Sequence, residues 1–225
     1  MFSNNKINFV LVILCFYLTF SLKAQVQLGI SYGNNYDFGN NTPKNYKSNA
    51  VFDLHFIYQN ETLFSPYLTL GFSKIPLNNS DILVPNQGNF KTNAINNSTA
   101  IELGMETILK KYNKSNISAK FGFGVTILSN PFISLENSNS SFIYLSTYDS
   151  NSETNFPFLT FALKIDREIA VNWKINLSVG TDYYPRNNSI AIKAKINSTD
   201  VEVRSSFTAL RPHAKIGLVY SFIKK

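Results

Sequence analysis

His55 and His213 are the only two imidazoles of the 225-residue chain, and neither stands in a spacing that serves nucleophilic catalysis. A serine nucleophile needs a histidine to take its proton and a carboxylate to orient that histidine. Asp53 lies two residues from His55, which on a strand puts both on one face. The expected role of the pair is hydrogen bonding in a polar interior. Position 57 is Ile and position 215 is Lys, so neither histidine begins a His-x-Ser pair. Glu102 and Glu106 could suggest general acid–base work. On a strand, four residues span about 13 Å at ~3.3 Å per residue, beyond the ~5–9.5 Å of glycosidase carboxylates. Both are expected to partner cations instead.

Other chemistries have fewer footholds still. Cys15 is the only cysteine and falls in the apolar amino-terminal run, which leaves no thiolate metal site or disulfide to expect. Gly122-Phe123-Gly124 lies inside an alternating segment and is no phosphate-cradling loop, and no zinc or calcium-loop spacing occurs. No cofactor is expected. The net charge is +7, but the cations are scattered, with no run beyond the pairs Lys110–Lys111 and Lys224–Lys225. A phosphate-tracking surface needs them clustered, so nucleic acid is not an expected partner.

The elements that carry these residues alternate with a period of two. Only 16% of the chain is charged, against roughly 25% in soluble domains. Aromatics reach 14%, yet the mean hydropathy is only −0.08. Apolar and uncharged polar positions must therefore interleave. They do so in eight segments: Gln25–Gly33, Ala50–Gln59, Leu63–Ile75, Thr99–Leu109, Ile117–Leu128, Phe156–Arg167, Asn172–Tyr184 and Phe207–Phe222. Val26, Leu28, Ile30 and Tyr32 share one face of the first, with Gln27, Gly29, Ser31 and Gly33 on the other. Each segment is long enough for the roughly 9–11 residues that a tilted strand needs to cross a bilayer.

Connection lengths alternate as well. Asn60–Thr62, Lys110–Asn116 and Glu168–Val171 are short, whereas Asn34–Asn49, Pro76–Ser98, Ser129–Asn155 and Pro185–Ser206 are long. Short turns on the periplasmic rim and long loops outside are the pattern of outer-membrane barrels. An all-β, eight-stranded, antiparallel up-and-down transmembrane barrel is the expected fold, with periplasmic termini and extracellular loops. The first 24 residues are expected to be a cleaved signal peptide, from Lys6, the apolar stretch Ile7–Leu22 and Ala24. Residues 25–225 then form the barrel domain.

One face of the segments is nearly free of charge. The other carries Asp53, His55, Glu102, Glu106, Lys120, Lys164, Asp166, Lys174, Arg211, His213 and Lys215. A soluble lipocalin-like barrel has an apolar interior instead, so the charged face is assigned to the lumen as a polar network. If Met105 opposes Phe121, Glu106 opposes Lys120; if Leu163 opposes Leu177, Asp166 opposes Lys174. Opposite charges so placed stabilise a strand pair, and they would plug the interior. In the third loop, Phe132, Ile133, Phe142, Ile143, Tyr144 and Leu145 are candidates for contact with a protein partner. In the fourth, Ser189–Ile196 and Val201–Arg204 alternate, which suggests that the last two strands continue beyond the bilayer.

With the Ala24–Gln25 junction, the stretch Ser65-Pro66-Tyr67-Leu68-Thr69-Leu70-Gly71 and the ending Gly217-Leu218-Val219-Tyr220-Ser221-Phe222, the chain resembles the PorT-like outer-membrane β-barrel family of Gram-negative, Bacteroidetes-type bacteria. The resemblance covers nearly all of residues 25–225. It implies an outer-membrane location and insertion by the barrel-assembly machinery, which reads an aromatic near the end of the last strand. It implies no particular activity. The expected function is non-enzymatic: a barrel with a plugged polar lumen, seated in outer-membrane lipid, acting through its loops in surface interaction, envelope structure, or an export or assembly complex. The alternatives are a narrow channel or transporter and a secreted, soluble lipocalin-like binder. A lipid A deacylase of this size would carry the missing His-x-Ser pair.

Overall fold

The computed structural model describes residues 25–38, 46–59, 64–76, 80–84, 88–136, 141–145, 147–148, 154–185, 189–196, 199–206 and 209–222. The segment expected to be a signal peptide lies outside them. The strands are β1 (Gln25–Phe38), β2 (Tyr46–Gln59), β3 (Phe64–Pro76), β4 (Ser80–Val84), β5 (Gly88–Lys111), β6 (Ser115–Glu136), β7 (Ser141–Leu145), β8 (Thr147–Tyr148), β9 (Asn155–Ala170), β10 (Trp173–Tyr183), β11 (Ser189–Ile196), β12 (Thr199–Ser206) and β13 (Leu210–Ser221).

Eight of them close on themselves. The order runs β1-β2-β3-β5-β6-β9-β10-β13 and returns to β1, with every neighbour antiparallel. Closure removes the outer edges of the sheet. β4 and β7 pair with the extended loop ends of β5 and β6, and β8, β11 and β12 form a separate three-stranded sheet. The alternating stretches of the fourth loop are therefore strands, but they pair with each other and with β8 rather than prolonging the barrel wall.

Alternation sends the two faces to opposite environments. Ile30, Phe56, Leu103, Phe121, Leu163, Leu177 and Ile216 are exposed on the outside, while Ser31, Asp53, Glu102, Glu106, Lys164, Asn176 and Arg211 are buried inside. The molecule is apolar without and charged within, the reverse of a lipocalin. Trp173, Tyr220 and Phe222 stack at the turn end, with ring centroids 4.9 and 5.1 Å apart. Phe222 N–H also donates to Val26 O at 3.0 Å, so both ends of the described barrel meet at the rim of the short turns.

Register separates one expectation from the other. Met105 opposes Phe121 and Glu106 opposes Lys120, as the alternation predicts. Leu163, however, opposes Val179, not Leu177, so Asp166 faces Asn176 and Lys174 faces Glu168. The cause is local. Val171 and Asn172 form a tight turn in which Asn172 has φ 68°, and the ladder shifts between Trp173 and Lys174. Asparagine tolerates the left-handed region better than most residues, so the turn closes on Ala170 and Trp173, later than the expected register requires, and the bulge recovers only one residue of that offset.

Candidate functional site

The lumen is a stack of charge clusters. Nearest the turns, Lys164 on β9 reaches across β6 to Glu106 on β5, with Nζ 2.7 Å from Oε2. The same ammonium lies 3.1 Å from Asp166, and Ser118 of the intervening β6 donates to Glu106 Oε1 at 2.8 Å. Glu106 and Lys120 are cross-strand neighbours, yet the Glu106 carboxylate is taken by Lys164. Lys120 turns to Glu102, 3.9 Å away, and to the face of Tyr67, 4.2 Å from the ring centre.

Tyr67 is buried and lines the inner cavity. Its hydroxyl donates to Glu102, and its ring lies across the wall at Gly104 and Gly122. A Cβ on Gly104 would stand 2.5 Å from the Tyr67 hydroxyl oxygen and 2.6 Å from Cζ. These glycines make the space into which a tyrosine folds.

On the opposite wall, Lys215 Nζ is 2.7 Å from Asp53. Ser31 Oγ is 2.7 Å from His55 Nε2, and His55 Nδ1 is 3.0 Å from Thr69 Oγ1. A serine, a histidine and an aspartate thus meet, but not as a relay. Asp53 lies 4.0 Å from Nε2, the nitrogen facing the serine, and threonine occupies the other. A triad needs its carboxylate on the far nitrogen to fix the tautomer. Asp53, moreover, is already held by Lys215.

Toward the loops, His213 Nδ1 lies 3.6 Å from Asp182, and Arg211 donates to the Tyr184 hydroxyl at 3.4 Å. That hydroxyl is 3.0 Å from Thr126 Oγ1, and the Tyr184 ring packs on Phe158 at 5.5 Å. Among the described residues, cavities of about 20 and 30 Å³ lie inside, at the centre and toward the loops, room for about one water each.

Ten of the eleven residues assigned to the network from sequence enter these clusters. Lys174 does not. It sits at the turn rim, 3.3 Å from the Gln59 side chain, because the turn at Val171–Asn172 closes too late in the chain to bring it opposite Asp166. Tyr67, Ser118, Phe158 and Tyr184 also face the lumen and are neither charged nor histidine, the residue types on which the sequence assignment rested; Asp182 is charged and was passed over although it shares the inward face of Lys174 and Asn176. Their parity on the strands was the available signal. For the loop candidates the backbone is described: Phe132 opposes Leu145, Ile133 opposes Tyr144, and Phe142 and Ile143 lie on β7. Their side chains lie outside the described residues.

No family model matches the chain, and no curated protein matches it in sequence. Solved structures do. A major outer membrane protein from Thermus thermophilus is similar at 11% identity and TM-score 0.53, covering 89% of this chain and 100% of that one. This chain has that barrel fold. Ail, the attachment invasion locus protein of Yersinia pestis, solved with the heparin analogue sucrose octasulfate, is similar at 9% identity and TM-score 0.46, over 89% and 100% of the two chains. Escherichia coli outer membrane protein W is similar at 12% identity and TM-score 0.40, over 87% and 97%. At such identities the likeness concerns the fold.

Proposed function

We propose that this chain is a non-enzymatic outer-membrane barrel with a closed lumen, acting through its long extracellular loops. The observation that carries the reading is the inside-out distribution. Lys164, Glu106 and Arg211 are buried within a barrel whose outside is Leu, Ile and Phe. Hydrocarbon offers backbone amides no partner, and a closed barrel with an apolar skin meets that condition. A soluble binder would expose the charges and bury the apolar residues.

The lumen supports a structural task in preference to a channel. Its cations are neutralised in place, Tyr67 and Tyr184 cross it, and the remaining cavities hold about one water each. The hydrogen-bonding pattern of Ser31, His55 and Asp53 favours wall-to-wall bracing over catalysis. Function then falls to the loop strands β4, β7, β8, β11 and β12, as a surface for a protein partner in adhesion, envelope structure, or an export or assembly complex. Gram-negative origin, PorT-like kinship, assembly by the barrel machinery, and periplasmic termini complete the reading. They are supported by the sequence resemblance and by the shared rim of the turns and both barrel ends.

Outer-membrane fractionation, with gel migration of boiled and unboiled samples, tests the location. The protein should remain with the outer membrane and migrate differently when unheated. A soluble, heat-indifferent protein would overturn the reading. Replacing residues 137–153 by a short turn should then leave heat-dependent migration intact and abolish capture of a partner.

A further inference from the structure

The charge of the chain is unevenly placed. Residues 25–222 hold seventeen cations and fourteen acids. The short turns and their flanks, residues 60–62, 110–116 and 167–174, hold five of those cations and two of the acids, and the rest of the span holds twelve of each. Lumen and loops together balance, so the whole positive excess falls at the turn rim.

Register gathers two of these cations on the outer wall. Lys110 on β5 opposes Ile117 on β6, and Ile117 opposes Ile165 on β9. Residues directly opposite share a face, and Ile165 is exposed on the outside, so the exposed Lys110 points outward. Arg167 lies two residues beyond Ile165 on the same face. It is exposed too, and it opposes Ser115, the first residue of β6. Glu168 opposes Lys174 and turns to the other face. Lys110 and Arg167 therefore flank β6, two strand spacings or about 10 Å apart at ~4.8 Å each, a gap that two long side chains can close from both sides. The turn between them is pinned: Glu168 N–H donates to Lys114 O at 2.8 Å, and Lys110 Nζ lies 5.2 Å from the Tyr112 ring centre. Exposed Leu109, Ile165 and Ile169 surround the pair, and the rings of Trp173, Tyr220 and Phe222 stack at the same rim. Aromatic girdles of this kind stand at the membrane interface, and cations on apolar surface extend their charged ends to the headgroups.

We propose that Lys110 and Arg167 clamp the phosphate of an anionic phospholipid in the leaflet at the turn rim, with its acyl chain along Ile165 and Leu163. A guanidinium meets phosphate oxygens as a planar fork, and the ammonium on the other side of β6 adds a second charge. A zwitterionic headgroup brings its own cation to the same place, so the clamp favours a net negative one. Outward orientation among apolar residues selects a lipid over an acidic soluble protein. This inference rests on the membrane reading above.

The test uses the full chain in lipid nanodiscs, with acyl-brominated phosphatidylglycerol or phosphatidylcholine as the quencher. Trp173, the only tryptophan, is changed to Phe, and one reporter is placed beside the clamp by Ile165→Trp or across the barrel on β2 by Phe56→Trp. Brominated phosphatidylglycerol should quench the clamp reporter at a lower mole fraction than the β2 reporter, by about fivefold for each cation at an anionic surface. Arg167→Gln and Lys110→Gln should each give up about one such factor, and the double change should leave the two reporters equal. Brominated phosphatidylcholine should quench both alike. Heat-dependent gel migration of each variant confirms folding. Inorganic phosphate that cancels the preference at constant ionic strength would show a site for soluble phosphate and overturn the lipid assignment. Equal quenching at both reporters before any cation is changed, the outcome expected of an acidic protein partner, would overturn the clamp and leave the membrane reading standing. No quenching at either reporter would overturn the membrane reading itself.

Discussion

Lys164 and Glu106 form an ion pair in the lumen, 2.7 Å apart, although β6 lies between their strands. Curvature explains the reach. In a narrow closed barrel the inward side chains converge, so a lysine can pass over the small Ser118 to the second strand along. The pair thereby cross-braces three strands that sheet pairing alone links two at a time.

Lys164→Met should therefore be severe, since it leaves Glu106 and Asp166 without their cation. Removing one partner of a buried pair costs roughly 3–5 kcal/mol. Urea unfolding of the refolded barrel in lipid vesicles should show a loss of that order. The triple change Lys164→Met, Glu106→Gln and Asp166→Asn should recover most of it. A single change without effect would mean that lumen water solvates the carboxylates.

Gly122→Ala tests the space beneath Tyr67. The added methyl would meet the Tyr67 hydroxyl, and would stand 2.9 Å from Thr160 Cγ2 and 3.0 Å from Glu102 Oε1. Overpacking of this kind costs about 1–3 kcal/mol. Combined with Tyr67→Phe, which removes the oxygen in the way, the loss should fall below the sum of the two single changes, as coupled neighbours require. Additive unfolding free energies would show that the ring does not lie over Gly122.

Much of the fold was legible because period two is a strong signal when one face must be apolar. The Met105–Phe121 register followed from alternation across one hairpin. The Leu163–Leu177 register did not, because the turn closes at Val171–Asn172, with Asn172 in the left-handed region, and nothing in the alternation marks where a turn will close. The ion partners were hidden for another reason. Cross-strand reasoning offers Glu106 to Lys120, whereas curvature offers it to Lys164, and curvature is a property of the closed barrel rather than of any strand pair. Tyr67 falls on the polar face by its parity, but it and Tyr184 were left out of the network because that assignment rested on charged residues and histidines.

On the proposed reading, closure of the lumen rests on a few large groups, and it should yield when they go. The wild-type protein in a planar bilayer should show no stable conductance. Tyr67→Ala, Phe158→Ala and Tyr184→Ala together remove three inward rings from β3, β9 and the segment following β10. Single-channel recording of that variant should show discrete openings. A stable wild-type conductance would instead make the charged interior a pathway.

The outer face makes the sharpest demand on the membrane reading, because there the same substitution should cost different amounts at different depths. Leu103 faces outward near mid-strand on β5, whereas Phe222 faces outward at the turn rim. Arginine on the lipid face of a barrel costs about 2–4 kcal/mol at the bilayer midplane and about 0–1 near the interface. Leu103→Arg should thus destabilise the barrel severalfold more than Phe222→Arg when unfolding is followed by urea titration in vesicles. If the outside were wet, both positions would already be solvated and both arginines would be tolerated alike. A depth gradient requires hydrocarbon against the wall, and a flat response would exclude it.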